Sequence, residues 1–83
     1  MKKIAVISAI LENPHQSQAE FNRLISHFHG MVKGRMGVPL DEYGIGVIAL
    51  TVVGELDEIN SMTGKIGALD GVTVKTAISA KAI

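Results

Sequence analysis

Hydrophobic and polar positions divide the chain into four segments with strand character and two with helical spacing. Residues 4–11 and 44–53 are almost continuously apolar, which is typical of strands buried on both faces. Residues 31–39 and 72–80 alternate between apolar and polar positions, which predicts strands with one polar face. In the 31–39 segment the alternation puts Lys33 and Arg35 on one face and Val32, Met36 and Val38 on the other.

The first helical segment has apolar residues at positions i, i+3, i+4 and i+7, namely Phe21, Leu24, Ile25 and Phe28. Asn is a favoured N-cap residue and Pro suits the first helical position, so we expect this helix to begin at Asn13-Pro14. Gln16 stands where the second residue of a capping box would stand. Gly30 predicts the end of the helix.

The second helical segment also has one apolar face, formed by Leu56, Ile59, Met62, Ile66 and Leu69. Gly54 predicts the end of the preceding strand, and the acidic residues at 55, 57 and 58 suit the positive end of the helix dipole. Gly64 and Gly67 predict a close approach of this helix to a strand, because glycine within a helix costs about 1 kcal/mol relative to alanine. Asp70 and Gly71 predict a tight turn into the last strand.

The order strand–helix–strand–strand–helix–strand predicts an α+β fold of the ferredoxin-like type, formed as a single domain by residues 1–83. Right-handed crossovers place both helices on one face of a four-stranded antiparallel sheet. The first and third strands are then central, which agrees with their apolar character on both faces. The second and fourth strands lie at the edges.

The other face of the predicted sheet is left uncovered by this chain. We expect one apolar row of the third strand on that face, together with a row of the first strand, namely Ala5, Ile7, Ala9 and Leu11. An exposed apolar face of this kind is typical of an interaction surface. The sequence therefore predicts a homo-oligomer, a dimer or tetramer, assembled through the sheet.

Composition narrows the range of functions. Hydrophobic residues make up 47% of the chain but aromatic residues only 4%, so the core is aliphatic. Eight basic residues balance eight acidic ones, so no net charge attracts nucleic acid or an anionic membrane. The chain has no cysteine, which excludes disulfides, thiolate metal ligands and a thiol nucleophile, and which fits a reducing cytoplasm.

Two histidines, His27 and His29, lie near the predicted end of the first helix. Within a helix, residues two positions apart point about 200° away from each other and are poorly placed to share a metal ion. We therefore favour a role in which they complement the negative end of the helix dipole. A metal site at His27 and His29 is the alternative, and no cofactor is expected.

The loop after the first strand is the best candidate for a small-molecule site. It comprises Asn13, Pro14, His15 and Gln16. A helix N-terminus offers free backbone N–H groups and a positive dipole end, which suit a carboxylate or another anion. The alternative is a capped turn without a ligand. No nucleophile and base occur in a known catalytic arrangement, so we predict that the protein is not an enzyme.

Several stretches of the sequence resemble known families. The stretch "ILENP" resembles the start of ACT domains, which are regulatory modules that bind amino acids between subunits. The stretches "RMGVP", "GIGVIALTVVGELDEIN" and "GKIGALDGVTVKT" resemble the family of iron-only hydrogenase system regulators. The resemblance implies an ACT-like fold, related to the C-terminal domain of CopG-type nickel-responsive regulators. It also implies an oligomeric cytoplasmic regulator of an anaerobe.

These observations leave three hypotheses. The first is a non-enzymatic regulatory or sensor protein that binds a small ligand or a protein partner. The second is a component of a metal-responsive transcriptional regulator that lacks its own DNA-binding arm, so that no direct nucleic acid binding is expected. The third is a structural assembly module.

Overall fold

A computed structural model describes residues 1–83 as a four-stranded antiparallel sheet with two α-helices. The elements in chain order are β1 (Lys2–Leu11), α1 (Pro14–Ser26), a 3-10 turn (His29–Met31), β2 (Val32–Leu40), a second 3-10 turn (Asp41–Tyr43), β3 (Ile45–Glu55), α2 (Leu56–Gly67) and β4 (Val72–Ile78). The strand order is β2-β3-β1-β4, so the predicted central pair and the predicted edges are confirmed. The α+β fold of ferredoxin-like type is therefore confirmed.

The hydrophobic core lies between the two helices and one face of the sheet. β1 and β3 pair along their whole length, with Ile7 opposite Leu50. Both of these side chains lie against the helices, with Phe21 of α1 and with Ile59 and Met62 of α2 in the same buried cluster. Because these residues alternate with exposed ones along each strand, the helices cover only one face of the sheet.

The prediction for the open face of the sheet was wrong in its choice of residues. Ala5, Ile7, Ala9 and Leu11 are all at most 1% exposed, because they face the helices. The alternate residues of β1, namely Ile4, Val6, Ser8 and Ile10, are exposed instead. They pair with Val53, Thr51, Ala49 and Val47 of β3, and these two rows form the centre of what we call the open face.

The prediction that Val32 shares a face with Met36 and Val38 was also wrong. A β-bulge lies between Val32 and Gly34, so that Val32 pairs with Val52 while Gly34 pairs with Thr51. The extra residue reverses the alternation after Val32. Val32 consequently packs against the core, whereas Met36 and Val38 lie on the open face.

Helix α1 is shorter than predicted, because it ends at Ser26 and not near Gly30. The backbone N–H groups of His27 and Phe28 donate to the carbonyls three residues earlier, which tightens the last turn. Phe28 still packs against the core from outside the helix, which explains why its spacing looked helical. Neither α1 nor α2 is long and apolar enough to cross a membrane.

Of the predictions made for Gly54, Gly64 and Gly67, the structure confirms only the one for Gly67. Gly54 lies inside β3, which continues to Glu55, and a Cβ at this position would lie 2.8 Å from Met31 Cε. The glycine therefore admits Met31 and does not end the strand. A Cβ at Gly67 would lie 3.1 Å from Val74 Cγ1, which confirms the close approach there, but a Cβ at Gly64 would meet nothing within 4 Å.

Candidate functional site

A groove lies at the end of the sheet where the first turn of α1 faces the β2–β3 hairpin. Its volume is about 510 Å³, and we call it the α1 groove. It is formed by Leu11, Pro14, His15, Gln18, Gly37, Val38, Pro39, Asp41, Gly44, Ile45, Gly46, Val47 and Ile48. These segments meet because the last residues of β1 and β2 and the first residues of β3 lie at the same end of the antiparallel strands.

Small residues shape the apolar walls of the α1 groove. Gly46 lies beside the α1 N-terminus, where a Cβ would be 3.5 Å from Pro14 Cβ, an ordinary contact distance. Gly37 pairs with Ile48 across β2 and β3, and a Cβ there would meet nothing within 4 Å. The groove therefore has free space above Gly37, and Leu11 and Ile48 contribute buried apolar side chains to its lining.

Three polar side chains line the groove. His15 and Gln18 lie about one turn apart on α1, so they share a side of that helix. Asp41 lies opposite them at the start of the 3-10 turn that joins β2 to β3. Gly44, with a φ of 66°, donates its backbone N–H to the Asp41 carbonyl at 3.1 Å and returns the chain into β3. The arrangement offers a ligand an imidazole, an amide and a carboxylate around an apolar centre.

The structure separates the four predicted loop residues. Pro14 and His15 line the α1 groove, whereas Asn13 and Gln16 do not. Gln16 lines a different depression, which is shared with Asp70 in the turn after α2. The capping box does not form, because the Asn13 side chain makes no capping hydrogen bond. Its backbone carbonyl accepts hydrogen bonds from the Gln16 N–H at 3.0 Å and the Ser17 Oγ at 3.1 Å.

The sequence analysis missed Gln18, Asp41 and Gly37 as residues of this site. Gln18 lies one turn after His15, so helical spacing alone was a usable signal for it. Asp41 follows from the predicted topology, which places the β2–β3 connection beside the end of β1. Gly37 carried no such signal, since only the structure shows the free space above it.

The two histidines at the end of α1 lie outside the α1 groove. His27 is the C-cap residue of α1, and His29 begins the following 3-10 turn with Nδ1 3.0 Å from the Ser26 carbonyl oxygen. The prediction that both lie within the helix was therefore wrong. No group of three or more histidine, aspartate or glutamate side chains is placed to hold a metal ion.

A smaller depression between the helices contains His27 together with charged neighbours. Lys65 Nζ lies 5.6 Å from the centroid of the Phe28 ring, a cation–π distance. On α1, the Glu20 carboxylate accepts two hydrogen bonds from Arg23, each 2.7 Å long, and thereby raises the pKa of the Arg23 guanidinium. These charges are largely satisfied by their neighbours, so the α1 groove is the better ligand site.

Comparisons with known proteins agree with the resemblance found in the sequence. The model of the TM1266-like family, described as an iron-only hydrogenase system regulator with the role assigned provisionally, matches residues 3–76. The solved structure of the uncharacterized protein TM1266 from Thermotoga maritima is similar, with a TM-score of 0.90 and 27% sequence identity. The similarity covers 94% of this chain and 98% of that chain. No curated protein matches.

Proposed function

The chain belongs to the iron-only hydrogenase system regulator family, and on that premise we propose that it is a non-enzymatic regulator that binds a small ligand in the α1 groove. We propose further that it acts in the cytoplasm as a homo-oligomer. The observation that carries the ligand proposal is the groove itself. Its volume of about 510 Å³ falls in the range of roughly 300–1,000 Å³ common for small-molecule sites.

The lining of the groove indicates the kind of ligand. Most of its side chains are apolar or glycine, and its polar groups are confined to His15, Gln18 and Asp41. Such a site suits a small molecule with an apolar body and a few hydrogen-bonding groups. The lining contains no hydroxyl, thiol or amine side chain, and its apolar character supports binding.

A regulator also needs a surface through which ligand binding affects a partner. Val38 and Val47 line the α1 groove and pair with each other on the open face of the sheet. A ligand in the groove would therefore lie next to the surface that a second subunit would cover. This shared boundary supports a regulator whose assembly responds to its ligand.

A thermal-shift screen with amino acids and nucleobases tests the ligand proposal. A ligand present at 100 times its Kd stabilises the native state by about 2.7 kcal/mol, which raises the Tm by roughly 10–20 °C for a chain of this size. We expect such a shift for the wild type, and its loss in Gly37→Val, because the valine side chain would fill the free space of the groove.

The matched control is Gly34→Val, on the same strand. A Cβ at Gly34 also meets nothing within 4 Å, but this residue does not line the groove. The control should retain the ligand-induced shift. A screen in which no compound stabilises the wild type, or in which Gly37→Val keeps the full shift, would contradict the proposal.

A further inference from the structure

The open face of the sheet presents apolar side chains that nothing in this chain covers. On β1, Ile4, Val6 and Ile10 are between 38% and 45% exposed, and on β2 Met36 is 62% exposed. On β3, Val53 lies next to Ile4, Val47 lies next to Ile10, and Ala49 pairs with Met36, so this row of β3 joins the two strands into one surface. A continuous apolar surface of this kind marks an interaction site more often than a free surface.

We propose that a second copy of this chain covers the open face, so that the two sheets pack face to face as a β-sandwich with twofold symmetry. The proposal rests on the oligomer proposed above and identifies its surface, which the sequence analysis had assigned to the wrong row of β1. In such an isologous interface each residue of the face contacts the same patch of its partner.

The size of the open face fits this occupant. A strand of ten residues, the length of β1, is about 33 Å long at 3.3 Å per residue, and four strands span about 19 Å. The resulting footprint of roughly 600 Å² is comparable with the ~800 Å² that each partner buries in a standard interface. The accessible surface of the chain, 5193 Å², also exceeds the roughly 4,800 Å² expected for a monomer of 8.8 kDa.

The distribution of charge favours a second copy of the same chain. The chain has a net charge of 0, so two copies do not repel each other overall. Of the charged residues on the open face, Lys2 and Glu55 lie opposite each other at one end, and Lys75 lies on the edge strand β4 opposite Ser8. Interface cores are depleted in charged residues, and the two central strands carry none on this face between Ile4 and Ile10 of β1 or between Val47 and Val53 of β3.

Sedimentation equilibrium of the full chain, without any ligand, tests the proposal. We expect the wild type to associate at micromolar concentration, and Val6→Glu to raise the dissociation constant at least about 100-fold, because it buries an unpaired carboxylate at the centre of the interface. The matched control is Leu56→Glu. Leu56 is 40% exposed, close to the 45% of Val6, but it belongs to α2 and not to the strand rows of the open face. It should change the dissociation constant less than about twofold.

The outcomes separate this proposal from the ligand proposal. Circular dichroism establishes that each variant is folded, and Val6→Thr, which keeps a β-branched side chain, replaces Val6→Glu if that variant does not fold. A folded wild-type monomer at micromolar concentration would contradict the proposal that a second copy covers the open face. So would a folded Val6 variant that associates as well as the wild type, or a Leu56→Glu chain that dissociates equally. Ligand binding, measured separately with Gly37→Val, can fail while dimerisation holds, and the reverse.

Discussion

The two faces of β1 are alike in chemistry and different in burial. Ile7 and Ile10 lie on the same central strand, three residues apart, yet Ile7 is fully buried and Ile10 is 43% exposed. The helices pack over the odd-numbered row of β1 and leave the even-numbered row to the open face. The helices of this chain therefore bury only one of the two apolar faces of β1.

This difference shows what an apolar residue does at each place. On the covered face, Ala5 and Ala9 alternate with Ile7 and Leu11, and all four belong to one packed cluster. Small and large side chains in alternation let the helices pack closely on the sheet. On the open face, the apolar residues Ile4, Val6 and Ile10 are partly exposed and contribute less to the stability of an isolated chain.

The largest expected effect breaks the comparison directly at these two isoleucines. Ile7→Ala should lower the free energy of unfolding by about 2–5 kcal/mol, because it leaves a cavity in the core. Ile10→Ala should cost less than about 1 kcal/mol in dilute solution, since the side chain is already half exposed. Urea unfolding of both variants, followed by circular dichroism, measures the difference.

Protein concentration sharpens the same experiment. If a second copy covers the open face, the loss of unfolding free energy caused by Ile10→Ala should grow with protein concentration, because the variant also weakens association. The loss caused by Ile7→Ala arises in the core of each chain and should not depend on protein concentration. Equal losses for the two variants in dilute solution would contradict the assignment of the two faces.

A second, smaller effect tests how tightly the covered face is packed at its end. Gly54→Ala should cost about 1–3 kcal/mol, because the new Cβ would lie 2.8 Å from Met31 Cε and 3.2 Å from Met31 Cγ. A double-mutant cycle with Met31→Ala isolates this contact by chemical denaturation. The cost of Gly54→Ala should largely vanish in the Met31→Ala background, and strictly additive effects would show that Met31 is not the cause.

The smallest expected effect compares the outer and inner sides of α2. Gly64→Ala should stabilise the protein by about 0.5–1 kcal/mol, because alanine favours the helix and the position is open. Gly67→Ala should gain less, since its Cβ would approach Val74 Cγ1 to 3.1 Å. At roughly 4–8 °C per kcal/mol, the two melting temperatures should differ by a few degrees. A larger increase in melting temperature for Gly67→Ala would mean that β4 shifts to accept the new Cβ without loss of stability.

The sequence predicted the elements and their order because those depend on local periodicity. It failed at the bulge after Val32, because β2 contains two glycines and no continuous apolar row that would fix the register. It also extended α1 too far, because Phe28 packs against the core from the turn that follows the helix.

Half of the predicted loop site belongs to the α1 groove. Pro14 and His15 were accessible to prediction because capping rules locate the start of a helix, and the groove forms around that start. Asn13 and Gln16 were expected beside them because they are neighbours in the chain. Successive residues of a helical turn point in different directions, so Gln16 lies on the side of α1 that faces Asp70.

The sequence by itself determined the family, the strand and helix pattern, and the presence of two apolar rows on each central strand. These properties are local or are carried by motifs, so they survive without knowledge of the packing. Only the tertiary structure decided which row of β1 faces the helices, because a strand with two apolar faces satisfies the period of two in either orientation. The tertiary structure also decided that Val38 and Val47 connect the α1 groove to the open face. These two residues pair across β2 and β3, and the bulge after Val32 determines which residues of β2 lie on that face.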